Sequence, residues 1–330
     1  MLRSETAGDP ARLERTLRGL RRYQEADRPE PLPTMPAIAE AHGAMLRDYG
    51  GEGPHVLFVP SLINPPNVLD LSAERSLLRW LAGRGHHVLL LDWGNDAGRR
   101  AGLTVGGHVE HILLPMLRAL TSPPSLVGYC LGGTMAVAAA RLAPVRSLVT
   151  LAAPWRFSGF TEDSRAMLAR LWASSQGSVK ALNLLPMEVL QAAFWNLDPR
   201  RTVAKFEDFA GFAPDGAEYR AFVTLEDWAN DGPPLPAAAA REIFEDFIAA
   251  DLPGSGRWTV CSEIIDPADI PAPQLHAVST TDRIVPAASA ITAGRTWPLD
   301  QGHVGMIVGG RAQTSLWEPL DSWLSQCSIE

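Results

Sequence analysis

The sequence predicts an α/β fold: a mostly parallel central sheet flanked by helices. Short apolar runs recur at His55-Val56-Leu57-Phe58-Val59-Pro60, Val88-Leu89-Leu90-Leu91-Asp92-Trp93, Ser125-Leu126-Val127-Gly128-Tyr129 and Ser147-Leu148-Val149-Thr150-Leu151-Ala152. Runs that are apolar throughout, rather than alternating, are how strands buried on both faces of a parallel sheet read. Helical periodicity fills the gaps, and strand, helix, strand in succession is the pattern of right-handed βαβ units. The rhythm lapses after Ala153-Pro154 and resumes at Gln274-Leu275-His276-Ala277-Val278-Ser279, which predicts a helical cap inserted into the core.

Taken in order, residues 1–45 form an N-terminal arm. Its basic helical stretch carries Arg12, Arg15, Arg18, Arg21 and Arg22 as a solvated face, and Arg28-Pro29-Glu30-Pro31-Leu32-Pro33 reads as a linker or wrapping segment. Residues 46–155 supply the first part of the core. Within them, 74–81 sets Leu77, Leu78 and Leu81 on one helical face before Gly83 and Gly85, and 105–120 is a second helix with a kink at Pro115. Residues 156–270 are the cap, and Trp172, Trp195 and Trp228, with Trp155 just before it, are expected to pack its interior. Residues 271–330 complete the core with a weak strand at Thr296-Trp297-Pro298-Leu299 and a helix over 313–324.

Composition narrows the function classes. A net charge of −8 over 330 residues is the wrong sign for a phosphate-backbone binder, so nucleic acid is not expected as a partner. Cys130, Cys261 and Cys327 show no CxxC spacing, which fits neither a disulfide framework nor a zinc site and suits a reducing cytoplasm. The N-terminal residues lack the apolar stretch of a secretory leader, and no segment reaches the ~18 apolar residues of a membrane span. The chain is therefore expected to be cytoplasmic and not transmembrane.

The chemistry concentrates at Gly128-Tyr129-Cys130-Leu131-Gly132, set between a buried strand and the small-residue helix that begins near Thr134. This is the G-x-S-x-G elbow of the α/β-hydrolase fold with cysteine in place of serine. Glycines flank the nucleophile because any Cβ there would collide with the adjoining strand and helix. The turn also puts sulfur at a helix N-terminus, whose dipole favours thiolate, and aims the Leu131 N–H where an oxyanion would form. That fold supplies its triad in the order nucleophile, acid, histidine. Asp282, closing the run Val278-Ser279-Thr280-Thr281-Asp282, and His303, in the glycine-flanked Gly302-His303-Val304-Gly305, fit that order, with Asp300 as a rival acid. A second oxyanion donor is expected from the loop Ser61-Leu62-Ile63-Asn64, at the Leu62 amide.

These segments resemble the polyhydroxyalkanoate synthases, in particular the short kind that works with an accessory subunit. The resemblance runs over about residues 45 to 310. It is carried by Val59-Pro60-Ser61-Leu62-Ile63-Asn64-Pro65-Pro66-Asn67, Glu74-Arg75-Ser76-Leu77, Asp92-Trp93-Gly94, Gly128-Tyr129-Cys130-Leu131-Gly132-Gly133-Thr134, Phe194-Trp195-Asn196-Leu197-Asp198 and Leu225-Glu226-Asp227-Trp228. It implies a Cys130-His303-Asp282 triad that takes a 3-hydroxyacyl group from coenzyme A and passes it to the hydroxyl of a growing polyester chain. It further implies an accessory subunit or homodimer, association with polyester granules, and no cofactor or metal beyond the coenzyme A of the substrate. The sequence departs from the family in three places. Arg283 stands where many synthases have histidine, Ser61 replaces a proline, and Val304-Gly305-Met306-Ile307-Val308-Gly309-Gly310 replaces I-A-G-V-V-N-P-P after the histidine. These changes lie beside the substrate, so a thioesterase or polyester hydrolase with the same triad is the alternative, and a non-catalytic granule- or partner-binding relative is a third.

Other conspicuous residues have ordinary explanations. Cys261 and Cys327 are expected to be inert small hydrophobes. His86, His87, His108 and His111 are expected to be structural or superficial, since His108-x-x-His111 brings no further metal ligands with it.

Overall fold

The computed structural model describes residues 2–214 and 216–327. Its centre is an eight-stranded sheet. In chain order the strands are β1 (Ala37–Ala41), β2 (Ala44–Asp48), β3 (His55–Val59), β4 (His87–Asp92), β5 (Ser125–Tyr129), β6 (Ser147–Leu151), β7 (Gln274–Ser279) and β8 (Arg295–Leu299). Their spatial order is β1-β2-β4-β3-β5-β6-β7-β8. All neighbours from β4 to β8 pair in parallel, whereas β1 and β2 form an antiparallel hairpin added at one edge. The continuous apolar runs have the cause expected: β5 and β6 are buried along their whole length, and β3 along all but its first residue.

Both faces of the sheet are covered, so the core forms two layers. One holds Leu57, Leu89, Leu126 and Met135 together with the cap residues Phe244 and Trp258, and the other holds Phe58, Leu90, Val127, Leu78 and Trp317. Adjacent residues of each strand, such as Leu57 and Phe58, enter opposite layers because side chains alternate across a strand.

The sequence-based outline needs correction at three points. The arm, 1–45, is more than a helix and a linker, because β1 and the start of β2 lie within it and extend the main sheet. Their small and polar residues, as in Ala37-Ile38-Ala39-Glu40-Ala41, belong to an exposed edge strand and give no apolar run to read. The helix expected over 74–81 starts only at Leu77: Ser76 is its N-cap, accepting the Arg79 N–H at 3.0 Å, and Arg75–Ser76 pairs with Asp70–Ser72. Over residues 105–118 the helix is continuous but contains a π turn at Val109–Leu113 just ahead of Pro115. A proline inside a helix lacks a donor and crowds the preceding turn, and a widened turn accommodates it.

The cap consists of helices Glu162–Leu182, Met187–Leu197, Pro199–Phe209 and Ala217–Asn230 and a further helical segment over 237–249. Its own strand pairing, among the described residues, is two short antiparallel pairs, Leu184–Leu185 with Leu235–Pro236 and Thr259–Val260 with Glu263–Ile264. The arm helix Pro10–Gln24 lies against Pro199–Phe209 so closely that a Cβ on Gly19 would sit 1.8 Å from the Phe206 carbonyl oxygen. Among the described residues no helix is long and apolar enough to cross a membrane.

Candidate active site

Cys130 occupies the tip of a strand-to-helix turn, between the end of β5 and the helix Leu131–Leu142. Its backbone is left-handed, with φ 55° and ψ −129°, a strained conformation for a residue with a side chain. Three glycines make the turn possible by letting backbones touch. A Cβ on Gly128 would lie 2.4 Å from the Gly133 Cα, one on Gly132 would lie 2.0 Å from the Val59 carbonyl oxygen, and one on Gly133 would lie 2.3 Å from the Ala153 Cβ. The Cys130 N–H donates to the Leu151 carbonyl at 2.9 Å, fixing the tip to β6. The thiol is half-buried and free of any disulfide.

The acid and the histidine arrive from loops at the ends of β7 and β8. His303 Nδ1 lies 2.6 Å from Asp282 Oδ2, and Asp282 Oδ1 accepts the N–H groups of Ile284 at 2.7 Å and Val285 at 3.1 Å. The Asp282 side chain is fully buried, so it has both oxygens satisfied and a fixed direction. With Nδ1 on the carboxylate, the ring's other nitrogen is left for the Cys130 sulfur, which is close enough for its charge to act on the imidazole. Burial by itself would lower the His303 pKa, but the charge of the neighbouring sulfur, followed by the Asp282 carboxylate, outweighs it and pushes the pKa up to about 10. Asp300, the rival acid, faces solvent and pairs with Arg311 at 3.1 Å.

The two expected oxyanion donors flank the sulfur's turn. Leu131 is the first residue of its helix, where an N–H has no acceptor one turn earlier. Leu62 is buried in the loop after β3, whose Val59 and Pro60 carbonyls touch Gly132. Two hydrogen bonds shape that loop: Ser61 Oγ accepts the Ile63 N–H at 3.2 Å, and Trp93 Nε1 donates to the Pro60 carbonyl at 3.1 Å. Ser61 thus replaces the family's proline with a side-chain-closed turn.

His86, His87 and His108, away from Cys130, have structural partners. His86 pairs with Asp321 at 2.7 Å and His87 with Asp48 at 3.0 Å. His108 is fully buried, which lowers its pKa to about 4, and its Nδ1 meets the Thr104 carbonyl at 2.7 Å. No group of three or more His, Cys, Asp or Glu among the described residues could hold a metal ion. Trp155 and Trp228 are buried and Trp172 stacks on Phe244, but Trp195, expected to pack inside the cap, is 42% exposed.

Two features escaped sequence reasoning. Arg283 forms an ion pair with Asp198, the residue that N-caps Pro199–Phe209, so the loop bearing the acid is joined to the cap. Of the arm arginines, Arg15, Arg18 and Arg21 are exposed as expected, but Arg12 and Arg22 turn to the cap. Arg12 grips Glu207 at 3.0 and 3.1 Å, and Arg22 donates to the carbonyls of Ala210 at 2.6 Å, Phe212 at 2.8 Å and Phe209 at 3.3 Å. The only local clue was the Asp198-Pro199 pair, a helix-start signal.

No family model matches the chain. Three curated relatives are each named poly(3-hydroxyalkanoate) polymerase subunit PhaC. That of Haloarcula marismortui is 27% identical over 88% of this chain and 64% of its own length, and that of Haloferax mediterranei is 26% identical over 83% and 59%. That of Allochromatium vinosum is 27% identical over 82% of this chain and 80% of its own. The chain thus spans under two thirds of the first two relatives. Among solved structures, the α/β hydrolase GrgF of a Penicillium species superposes with a TM-score of 0.52 at 16% identity, covering 91% of this chain and all of the other. A monoacylglycerol lipase from Paleococcus ferrophilus gives 0.51 at 15% identity, covering 86% and 99%. This chain has the fold of the α/β hydrolases, and its sequence is homologous to the poly(3-hydroxyalkanoate) polymerase subunits.

Proposed function

We propose that the chain is an acyltransferase of the polyhydroxyalkanoate synthase type, with Cys130 as nucleophile, His303 as proton carrier and Asp282 as the group that orients it. One observation carries this: a cysteine at a nucleophile elbow, within hydrogen-bonding reach of a buried histidine–aspartate pair, in a homologue of polymerase subunits. His303 takes the proton of the Cys130 thiol, and Asp282 steadies the imidazolium that forms. The thiolate adds to the thioester carbonyl of a 3-hydroxyacyl-CoA, and the oxygen that gains charge takes the Leu131 and Leu62 N–H groups. Collapse breaks the bond to the coenzyme A sulfur, which leaves with the proton from His303. A polyester hydroxyl then attacks acyl-Cys130 and gives its proton to His303, which returns it to the departing Cys130 sulfur.

Cysteine suits this sequence of steps. Exchange of one thioester for another is nearly neutral in free energy, and conversion of a thioester to an oxoester is downhill. The reaction needs no cofactor beyond the substrate's own coenzyme A. The relatives are named as subunits, and we extend to this chain a partner, either an accessory subunit or a second copy, and residence at polyester granules.

Incubation with 3-hydroxybutyryl-CoA tests the assignment. Thiol release with insoluble polymer and an acyl adduct on Cys130 by intact mass is the expected result. The departures at Arg283 and after His303 favour a second outcome, release of free acid alone, which would make the chain a thioesterase or polyester hydrolase. Absence of both, with Cys130→Ala unchanged, would leave only a non-catalytic granule- or partner-binding role.

A further inference from the structure

His303 is held from more than one side. Asp282 fixes Nδ1, but a hydrogen bond at one ring nitrogen leaves the imidazole free to rock about that contact. The opposing support comes from the residue just before the nucleophile. Tyr129 ends β5, is 3% exposed, and places its ring 5.1 Å from the His303 ring at an interplanar angle of 33°. Its hydroxyl donates to the His303 main-chain carbonyl at 3.3 Å, a long contact that ties down the loop as well as the ring. Burial, and then the charges at Cys130 and Asp282, raise the Tyr129 pKa well above the usual phenol value, so the hydroxyl keeps its proton and remains a donor.

We infer that Tyr129 is a positioning residue of the Cys130-His303-Asp282 site: it carries the His303 loop on its hydroxyl and the imidazolium on its ring. The face of an aromatic ring is electron-rich and attracts a cation, so this stacking favours protonated over neutral His303. One short strand end thereby sets the nucleophile and the height of the histidine above it, coupling the two through adjacent residues. Tyr129 does not touch the reacting atoms and is not itself catalytic.

The inference rests on the proposed roles of Cys130 and His303, and its test is independent of substrate. Iodoacetamide alkylation of the Cys130 peptide, followed by mass spectrometry from pH 5 to 10, reads how readily His303 takes the thiol's proton. Tyr129→Phe removes a single oxygen and is expected to slow alkylation at neutral pH by about 3–10-fold, the size of one weak hydrogen bond. Tyr129→Leu, which also removes the ring, is expected to lose more than tenfold and to shift the pH profile towards that of His303→Ala. If Tyr129→Leu does not fold, the Phe variant alone decides. Rates within twofold of the parent at every pH, with only melting temperature lowered, would reduce Tyr129 to packing and overturn the inference. Parent protein that alkylates in a His303-dependent way yet releases no thiol from acyl-CoA would instead overturn the proposed function and leave the positioning role standing.

Discussion

At Gly132 one methyl group would have to fit 2.0 Å from the Val59 carbonyl and 2.5 Å from that of Pro60. Those contacts are with backbone, which cannot rotate away as a side chain does. Gly132→Ala is therefore expected to destabilise the fold by about 1–3 kcal/mol, and to displace the Leu62 loop, through overpacking. Urea unfolding checks the first effect. An equal midpoint for variant and parent would show that the loop yields without cost. The same glycines were the part of the site most legible in the sequence, because a residue type imposed by backbone contact leaves a pattern in adjacent positions. Asp282 and His303 were legible only through the order in which this fold supplies them. Arg283 was read as a departure, and its actual partner, Asp198, lies 85 residues away where no local pattern could reveal it.

At the scale of elements, the arm helix Pro10–Gln24 works as a brace for the cap. Arg22 closes the C-terminal end of Pro199–Phe209, where carbonyls run out of helical donors, and its guanidinium also lies over the Phe209 and Tyr219 rings at 5.7 and 5.4 Å. Tyr23 and Arg28 both reach Asp227 in Ala217–Asn230, at 2.6 Å and at 3.0 and 3.1 Å. Arg22→Ala removes charge-assisted bonds to three carbonyls and is expected to cost about 2 kcal/mol. Hydrogen exchange should then accelerate across 199–230 and leave β3 to β7 protected; uniform acceleration would mean that arm and cap do not form a separate unit. The helix itself was readable from its periodicity. Its arginines Arg15, Arg18 and Arg21 are solvated as read, whereas the inward turn of Arg12 and Arg22 was not, because charge on a helix says nothing of what distant part of the chain lies across from it. The central strands were readable since burial on both faces writes one signal into consecutive residues, whereas the exposed edge strand β1 and the half-buried β2 beside it write none.

For the molecule as a whole, the buried ion pair makes stability depend on alkaline pH. The His303 pKa is raised from 6.5 to about 10 by folding, after burial is overcome by the sulfur and Asp282. Its contribution is thus fully present below about pH 6.5 and is lost as pH rises towards 10. The melting-temperature difference between the parent and His303→Gln should therefore be largest near pH 6 and shrink steadily up to pH 10; a difference that is flat or grows with pH would contradict the pairing.

The brace also bears on how the protein is made. Arg12 and its partner Glu207 are 195 positions apart, and Arg22 waits for carbonyls 187 to 190 positions downstream. During synthesis the arm helix leaves the ribosome long before the cap segment it needs, while β3 to β6 can already assemble from residues 55–151. The face that holds Thr16 and Gly19 must spend that interval uncovered or in passing contacts, so closure of arm onto cap is a late step in folding, and a slow-translating or stalled chain would present that helix to chaperones.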